Sequence, residues 1–233
     1  MPKIAVLIPA YKRPEYTDEC LKSIFEAQSY EDVTFYFIDE GGNKDIFMKY
    51  ARPQDVVSVH TYPKGLRNSI IEFLNWAKEN EVDIISKVDN DCLVPKNWLN
   101  DLIGILTSTK VEILSPNVSE TQAAFKYGRD DTYGLGYRPS SFVGGLWTMR
   151  TKLIENIYFE EADTTGIRGA FSLLHQIIRM NDPHPRIGWT EKVCFEDLGH
   201  WSGTHSKHIK SEDHLAYSAE VGRPVGWTVE AGQ

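Results

Sequence analysis

Ile84-Ile85-Ser86-Lys87-Val88-Asp89-Asn90-Asp91-Cys92-Leu93-Val94-Pro95 reads as a buried strand that ends in two carboxylates one residue apart, with a proline and a helix just beyond. In an open α/β sheet, ligands bind at the carboxyl ends of the strands, so an Asp-x-Asp placed there stands at the productive edge. Two hard oxygen donors at such a place suit Mg²⁺ or Mn²⁺, which would chiefly hold a diphosphate. The bland alternative is a solvated acidic turn.

Outward from this stretch, short β-branched runs alternate with amphipathic ones, the pattern of βαβ units building a parallel sheet. Strands are predicted over 3–8, 33–38, 56–61, 83–88 and 112–115. Helices are predicted over 15–27, where Pro14 occupies the first turn, and over 66–79 and 97–106. Past Pro116 the texture changes: 117–140 has no clear period and reads as a long excursion. Further on, a strand is predicted over 142–149, a helix over 170–180, a strand near 193–195 and a last helix over 211–221. His175 falls on the apolar helix and reads as a packing residue. The fold class expected is α/β: a Rossmann-like, mostly parallel sheet flanked by helices. It forms a single domain of two lobes over 1–233, with a nucleotide-type half at 1–116 and an acceptor and catalytic half at 117–233.

Composition narrows the functions. The 233 residues carry 25 Lys+Arg against 33 Asp+Glu, a formal charge of −8, which argues against bulk electrostatic binding of nucleic acid or anionic membrane. No apolar run approaches the ~20 residues of a bilayer-spanning helix. Three well-separated cysteines make neither a disulfide framework nor a CxxC site. A soluble cytoplasmic protein without membrane insertion is the expectation.

Three further features gather at the same sheet edge. The first strand runs into Ile8-Pro9-Ala10-Tyr11-Lys12-Arg13-Pro14, the second into Ile38-Asp39-Glu40-Gly41-Gly42-Asn43, and the third crossover opens with Lys64-Gly65-Leu66-Arg67-Asn68. The last of these sits at a helix N-terminus, where backbone N–H groups and the dipole favour an anion. Each has a structural reading too: Tyr11 as a packing ring, Asp39 as a turn residue, Arg67 as a surface charge.

In this order, the four segments resemble the family-2-like glycosyltransferases of the GT-A fold, well over the first ~115 residues and fairly around 142–150. The resemblance implies a transferase that takes a sugar from a nucleoside diphosphate, a UDP-sugar in first place, with Mn²⁺ or Mg²⁺. It implies that Tyr11 lies against the base, with Pro9 shaping the turn and Arg13 nearby, and that Asp39 meets the base edge. Lys64, Arg67 and Asn68 would stand near base and diphosphate. Asp89 would lean toward ribose and metal, and Asp91 would ligate the metal. A late-loop histidine completes the metal shell in several such enzymes, which suggests His200 or, failing it, His205.

The second half departs from the family pattern. Inverting members carry an acid at a helix start after the strand that here holds Gly144-Gly145, whereas here that helix begins Gly166-Ile167-Arg168-Gly169. Asp163 is the preferred substitute base, with Glu160 and Glu161 as neighbours and Asp197 behind it. Acceptor recognition is expected from Phe125, Tyr127, Tyr133, Tyr137 and Trp147 interleaved with Lys126, Arg129, Arg138 and Arg150. The chain is also similar to small phage-type glycosyltransferases that decorate hydroxymethylated pyrimidines in DNA, active in the host cytoplasm. That reading requires a cationic face from 126–152 with Lys207 and Lys210. The rival acceptor is a glycan. A nucleotidyltransferase would carry a glycine-rich loop after the first strand, which Pro9-Ala10-Tyr11-Lys12-Arg13 lacks, and a non-catalytic sugar-nucleotide-binding module is the third reading.

Overall fold

The computed structural model describes residues 2–118, 137–140, 146–160 and 167–198. Strand β1 (Ile4–Ala10) is apolar without alternation because both its faces are covered: Val6, Ile8 and Ala10 enter one core, Ala5 and Leu7 the other. It lies between β2 (Val33–Asp39) and β4 (Ile84–Lys87), parallel to both, and β3 (Val56–Val59) continues the parallel ladder beyond β2. Helices α1 (Pro14–Ala27) and α4 (Trp98–Ser108) supply residues to the first core, α3 (Leu66–Glu79) and α5 (Ile167–Met180) to the second.

The rest of the sheet is mixed. β8 (Trp147–Arg150) pairs antiparallel with both β4 and β6 (Ile113–Val118), and β6 pairs parallel with β9 (Ile187–Asp197). Short β5 (Cys92–Leu93) and β7 (Arg138–Ser140) each run antiparallel to β9. The strand order is β3-β2-β1-β4-β8-β6-β9-β5, with β7 also on β9. This is the α/β arrangement expected from the sequence.

Several elements differ from expectation, among them β5 and β7, which are too short to show a period; β7 lies within the stretch 117–140 expected to be irregular. α2 (Lys44–Tyr50) has no counterpart among the expected helices, because seven residues with one buried side chain, Phe47, carry too little periodicity to register. β9 begins well before 193, since Gly188 and the polar Thr190 mask a strand whose partners are remote. Gly188 lacks a side chain because the Tyr137 ring lies on it, and an added Cβ would collide with that ring. His175 is exposed; α5 buries Leu173, Leu174 and Ile177 instead, so its packing face runs past the histidine. The helix expected over 211–221 lies outside the described residues.

At the amino edge, Arg52 fastens the chain before β3 to β2. Its guanidinium donates to the carbonyls of Tyr30 (2.6 Å) and Val33 (2.7 Å) and to the fully buried Asp55 carboxylate (2.8 and 2.9 Å). It also lies 5.2 Å from the Phe35 ring centroid. Arg52→Ala strands the Asp55 charge and two carbonyls, and is expected to cost about 3 kcal/mol in urea unfolding.

Candidate active site

The carboxyl edge of β1, β2 and β4 gathers the loops that carry most of the candidate residues. In register, Ala10 faces Asp39 across β1 and β2, and Leu7 faces Lys87 across β1 and β4. The loops leaving these strands therefore emerge side by side. All three are then tied by buried and half-buried polar side chains. Thr17, from the first turns of α1, donates to Asn43 Oδ1 (2.8 Å) and accepts from Asn90 Nδ2 (2.8 Å). Asn43 donates in turn to the Lys12 carbonyl (3.1 Å). Thr17 and Asn43 are wholly buried, where each unmade bond would cost about 1–3 kcal/mol. Neither stands out in the sequence, because a threonine inside a helix and an asparagine after two glycines have ordinary local readings.

Lys12 and Arg13 both take left-handed backbone angles (φ 53° and 56°), a sharp reversal that lets Pro14 open α1. Tyr11 lies over Gly41, where an added Cβ would be 3.5 Å from the ring and the φ of 151° suits only glycine. The Lys12 ammonium is 5.0 Å from the same ring centroid. Pro9 is within β1, opposite Ile38. Asp39 is buried, and its Oδ1 accepts from the N–H groups of Gly41 (2.8 Å) and Asn43 (3.0 Å), so one of its oxygens shapes the turn.

Both carboxylates of the Asp-x-Asp carry internal cations. Arg13 donates to Asp91 Oδ2 at 2.9 Å, with the two side chains 21% and 19% exposed. The buried Lys87 ammonium contacts Asp89 Oδ1. Cys20 lies beneath, its thiol against the Asp89 carbonyl; burial, then the Asp91 charge, pushes it far above the ordinary thiol range, so it is an inert floor. Two partly exposed carboxylates suit a divalent ion that also takes substrate phosphates. Among the described residues no group of three or more His, Cys, Asp or Glu forms a further metal cluster.

The distal half is brought to the same place by β9. Asp197 pairs across from Cys92, and the Leu198 N–H donates to the Asp91 carbonyl at 2.7 Å. The backbone of Asp197 is thereby held beside the Asp-x-Asp. Asp163, His200 and His205 lie outside the described residues, as do Phe125, Lys126, Tyr127, Arg129, Tyr133, Lys207 and Lys210.

Two residues expected to meet the acceptor are placed elsewhere. Trp147 is 1% exposed and packs in the second core, so its ring is closed to sugars. Arg150 ends an antiparallel strand, pairs with Ile84 at the amino edge and donates to the Leu106 carbonyl near the end of α4 (2.5 Å). Lys152 pairs with Glu112 nearby. The direction of β8 carries both cations away from the Asp-x-Asp, and sequence spacing contains no sign of that reversal.

At the head of α3, the anion anticipated for the helix end is internal: Glu40 accepts from the Gly65 N–H at 2.8 Å and from the Ser69 hydroxyl. Arg67 is nearly buried and donates to Ser172 on α5 (3.3 Å), while Asn68 donates to the Lys64 carbonyl (2.9 Å). Behind them, Glu72 gathers Ser58 (2.6 Å), His60 (2.8 Å), Tyr36 (3.3 Å) and Lys64 (3.4 Å). This cluster is invisible to sequence spacing, since its members come from separate elements.

The mixed, mostly parallel sheet flanked by helices is an α/β arrangement of the GT-A kind, with its polar loops at the carboxyl edge where such sheets bind ligands. The family model described as Glycosyl transferase family 2 matches residues 5–171. The chain belongs to that family. No curated protein matches the sequence. Among solved structures, S. aureus TarS 1–349 is similar at TM-score 0.59 and 16% identity, over 84% of this chain and 60% of that one. A second TarS structure gives TM-score 0.61 and 18% identity, over 84% and 36%. GalNAc-T7 with UDP, GalNAc and Mn²⁺ gives TM-score 0.63 and 10% identity, over 84% and 44%. The chain thus spans less than two thirds of each of these structures, and the likeness at such identities is one of fold.

Burial pushes the Glu72 carboxyl up, but the bonds from His60 and Ser58 and the charges of His60 and Lys64 outweigh it and hold the group down at about 2, against an ordinary 4.5. A depressed carboxylate contributes stability above its unfolded pKa and loses it as pH falls toward its folded one. Glu72→Gln is expected to lower stability at pH 7 by on the order of 2 kcal/mol. The gap to the parent should shrink between pH 4.5 and about 2, as read by urea unfolding across pH.

Proposed function

We propose that the protein moves a sugar from a nucleoside-diphosphate donor, a UDP-sugar first among them, to a hydroxyl acceptor with a divalent cation at the Asp-x-Asp. The observation that carries this reading is the placement of Asp89 and Asp91 at the carboxyl edge, beside the loops after β1 and β2, in a chain of glycosyl transferase family 2. Tyr11, against Gly41, offers a ring face for the base, with Pro9 and Arg13 shaping that loop and Asp39 at the base edge. Arg67, with Lys64 and Asn68 around it, faces the diphosphate with side-chain charge. The Gly65 amide already serves Glu40, so the helix end contributes less than its dipole alone suggests.

Asp89 and Asp91 would hold Mn²⁺ or Mg²⁺ with His200 as a further ligand, and the cation supplies charge stabilisation to the departing diphosphate. Arg13 and Lys87 neutralise the pair when it is without a donor, keeping two neighbouring, partly exposed carboxylates compatible with one another at the edge. Remote contacts to base and ribose hold the anomeric carbon toward the acceptor. Asp163 is the base in this reading. Asp197, whose backbone pairs across from Cys92, is the alternative base.

For the acceptor, a carbohydrate hydroxyl is favoured over hydroxymethylated DNA. Two cations required for a DNA-facing surface, Arg150 and Lys152, are at the opposite edge and already paired, and the chain's net charge is −8. The two classes separate in a labelled-sugar transfer assay offering soluble glycans, hydroxymethylcytosine DNA and unmodified DNA. Transfer confined to the modified DNA would overturn the carbohydrate assignment.

Release of nucleoside diphosphate from donor sugars should require Mn²⁺ or Mg²⁺ and fall about 10²–10³-fold in kcat for Asp91→Ala. An Asp91→Ala protein that turns over at the parent rate would dispose of the metal role, and release of pyrophosphate instead would point to nucleotidyl transfer.

A further inference from the structure

The head of α3 is built without a cap of its own. Gly65 at the N-cap has no side chain, and no acid stands in the first turn. Ser69, one turn in, is wholly buried. The acceptor comes instead from 25 residues upstream: Glu40, 4% exposed, accepts from Gly65 N–H through Oε2 and from the Ser69 hydroxyl through Oε1. A buried carboxylate needs compensation, and here the positive helix end supplies it, with His60 Nδ1 3.8 Å from Oε1. The Glu40 N–H, meanwhile, donates to the Ala10 carbonyl at 2.8 Å, immediately before Tyr11. One residue thus binds the end of β1, continues the end of β2 and caps the helix that carries Arg67.

We propose that Glu40 is a positioning residue of the donor site, fixing the separation between its base side, Tyr11 and Asp39, and its diphosphate side, Arg67. The inference rests on the proposed donor site. Glu40 touches no reacting atom; it acts through the placement of α3. Arg67 is anchored at its far side by Ser172 on α5, so release of the helix head would leave its guanidinium tethered to α5 without a set position over the sheet edge.

The test is a double-mutant cycle read by calorimetric binding, in Mn²⁺, of whichever of UDP, GDP, ADP, CDP and dTDP binds the parent most tightly. Arg67→Ala and Glu40→Ala should each weaken binding about tenfold, the scale of one lost charge-assisted hydrogen bond. The double variant should be no weaker than Arg67→Ala alone, because the second change removes support for a side chain already gone. Glu40→Gln keeps an acceptor for Gly65 and should restore affinity to within about threefold. In turnover, Glu40→Ala should raise donor KM while kcat changes little.

If Arg67→Ala binds as the parent does, the donor-site reading fails and the inference falls with it. If Arg67→Ala weakens binding but Glu40→Ala does not, or if the two losses multiply, the donor site stands and the positioning role is refuted. Should Glu40→Ala fail to fold, Ser69→Ala enters the same cycle, with a smaller loss of about threefold and the same non-additivity expected; multiplying losses there refute the role equally.

Discussion

Parallel pairing of β1 with β2 on one side and β4 on the other is the constraint from which the site arises. Parallel neighbours end at the same edge, so Tyr11, Asp39 and Asp89, far apart in the chain, emerge together whatever their loops contain. That pairing is driven by apolar burial on both faces of β1. The bonds among Thr17, Asn43 and Asn90, the first two of them wholly buried, then hold the emerging loops in one arrangement, since a buried amide or hydroxyl tolerates few alternatives. Hydrophobic burial sets the edge, and polar satisfaction sets the geometry at it.

Charge at the edge is balanced before any substrate arrives. Asp91 has Arg13, Asp89 has Lys87, and Glu40 has the head of α3. Buried or half-buried carboxylates without such partners would take up protons or destabilise the fold. In the proposed reading, the same pairing means that a nucleotide and its cation would exchange with resident partners rather than fill bare charge. Arg13, on a loop of two left-handed residues, is the partner whose backbone is least tied to regular structure.

The distal half contributes through topology rather than through a continuous motif. β8 inserts antiparallel between β4 and β6, and the long β9 returns beside β6 so that its end pairs with β5, two residues after Asn90. This brings Asp197 to the Asp-x-Asp, while the direction of β8 carries Arg150 and Lys152 to the far edge. Strand direction alone therefore divides the late charged residues between the site and its opposite face.

What the sequence by itself determined is the N-terminal βαβ pattern, the helix over Leu66–Glu79 to the residue, and the gathering of Pro9, Tyr11, Asp39, Arg67 and the Asp-x-Asp at one edge. These rest on local periodicity and on the rule that parallel strands share a carboxyl end, both of which one chain displays without partners. Tertiary structure alone decided that Trp147 is core, that Arg150 caps α4, that Asp197 reaches Cys92, and that Glu40, His60 and Glu72 meet around α3. Each of those facts depends on strand direction or on a hydrogen bond between distant segments. Such choices are made by the packing of one element against another, and no window of neighbouring residues contains them.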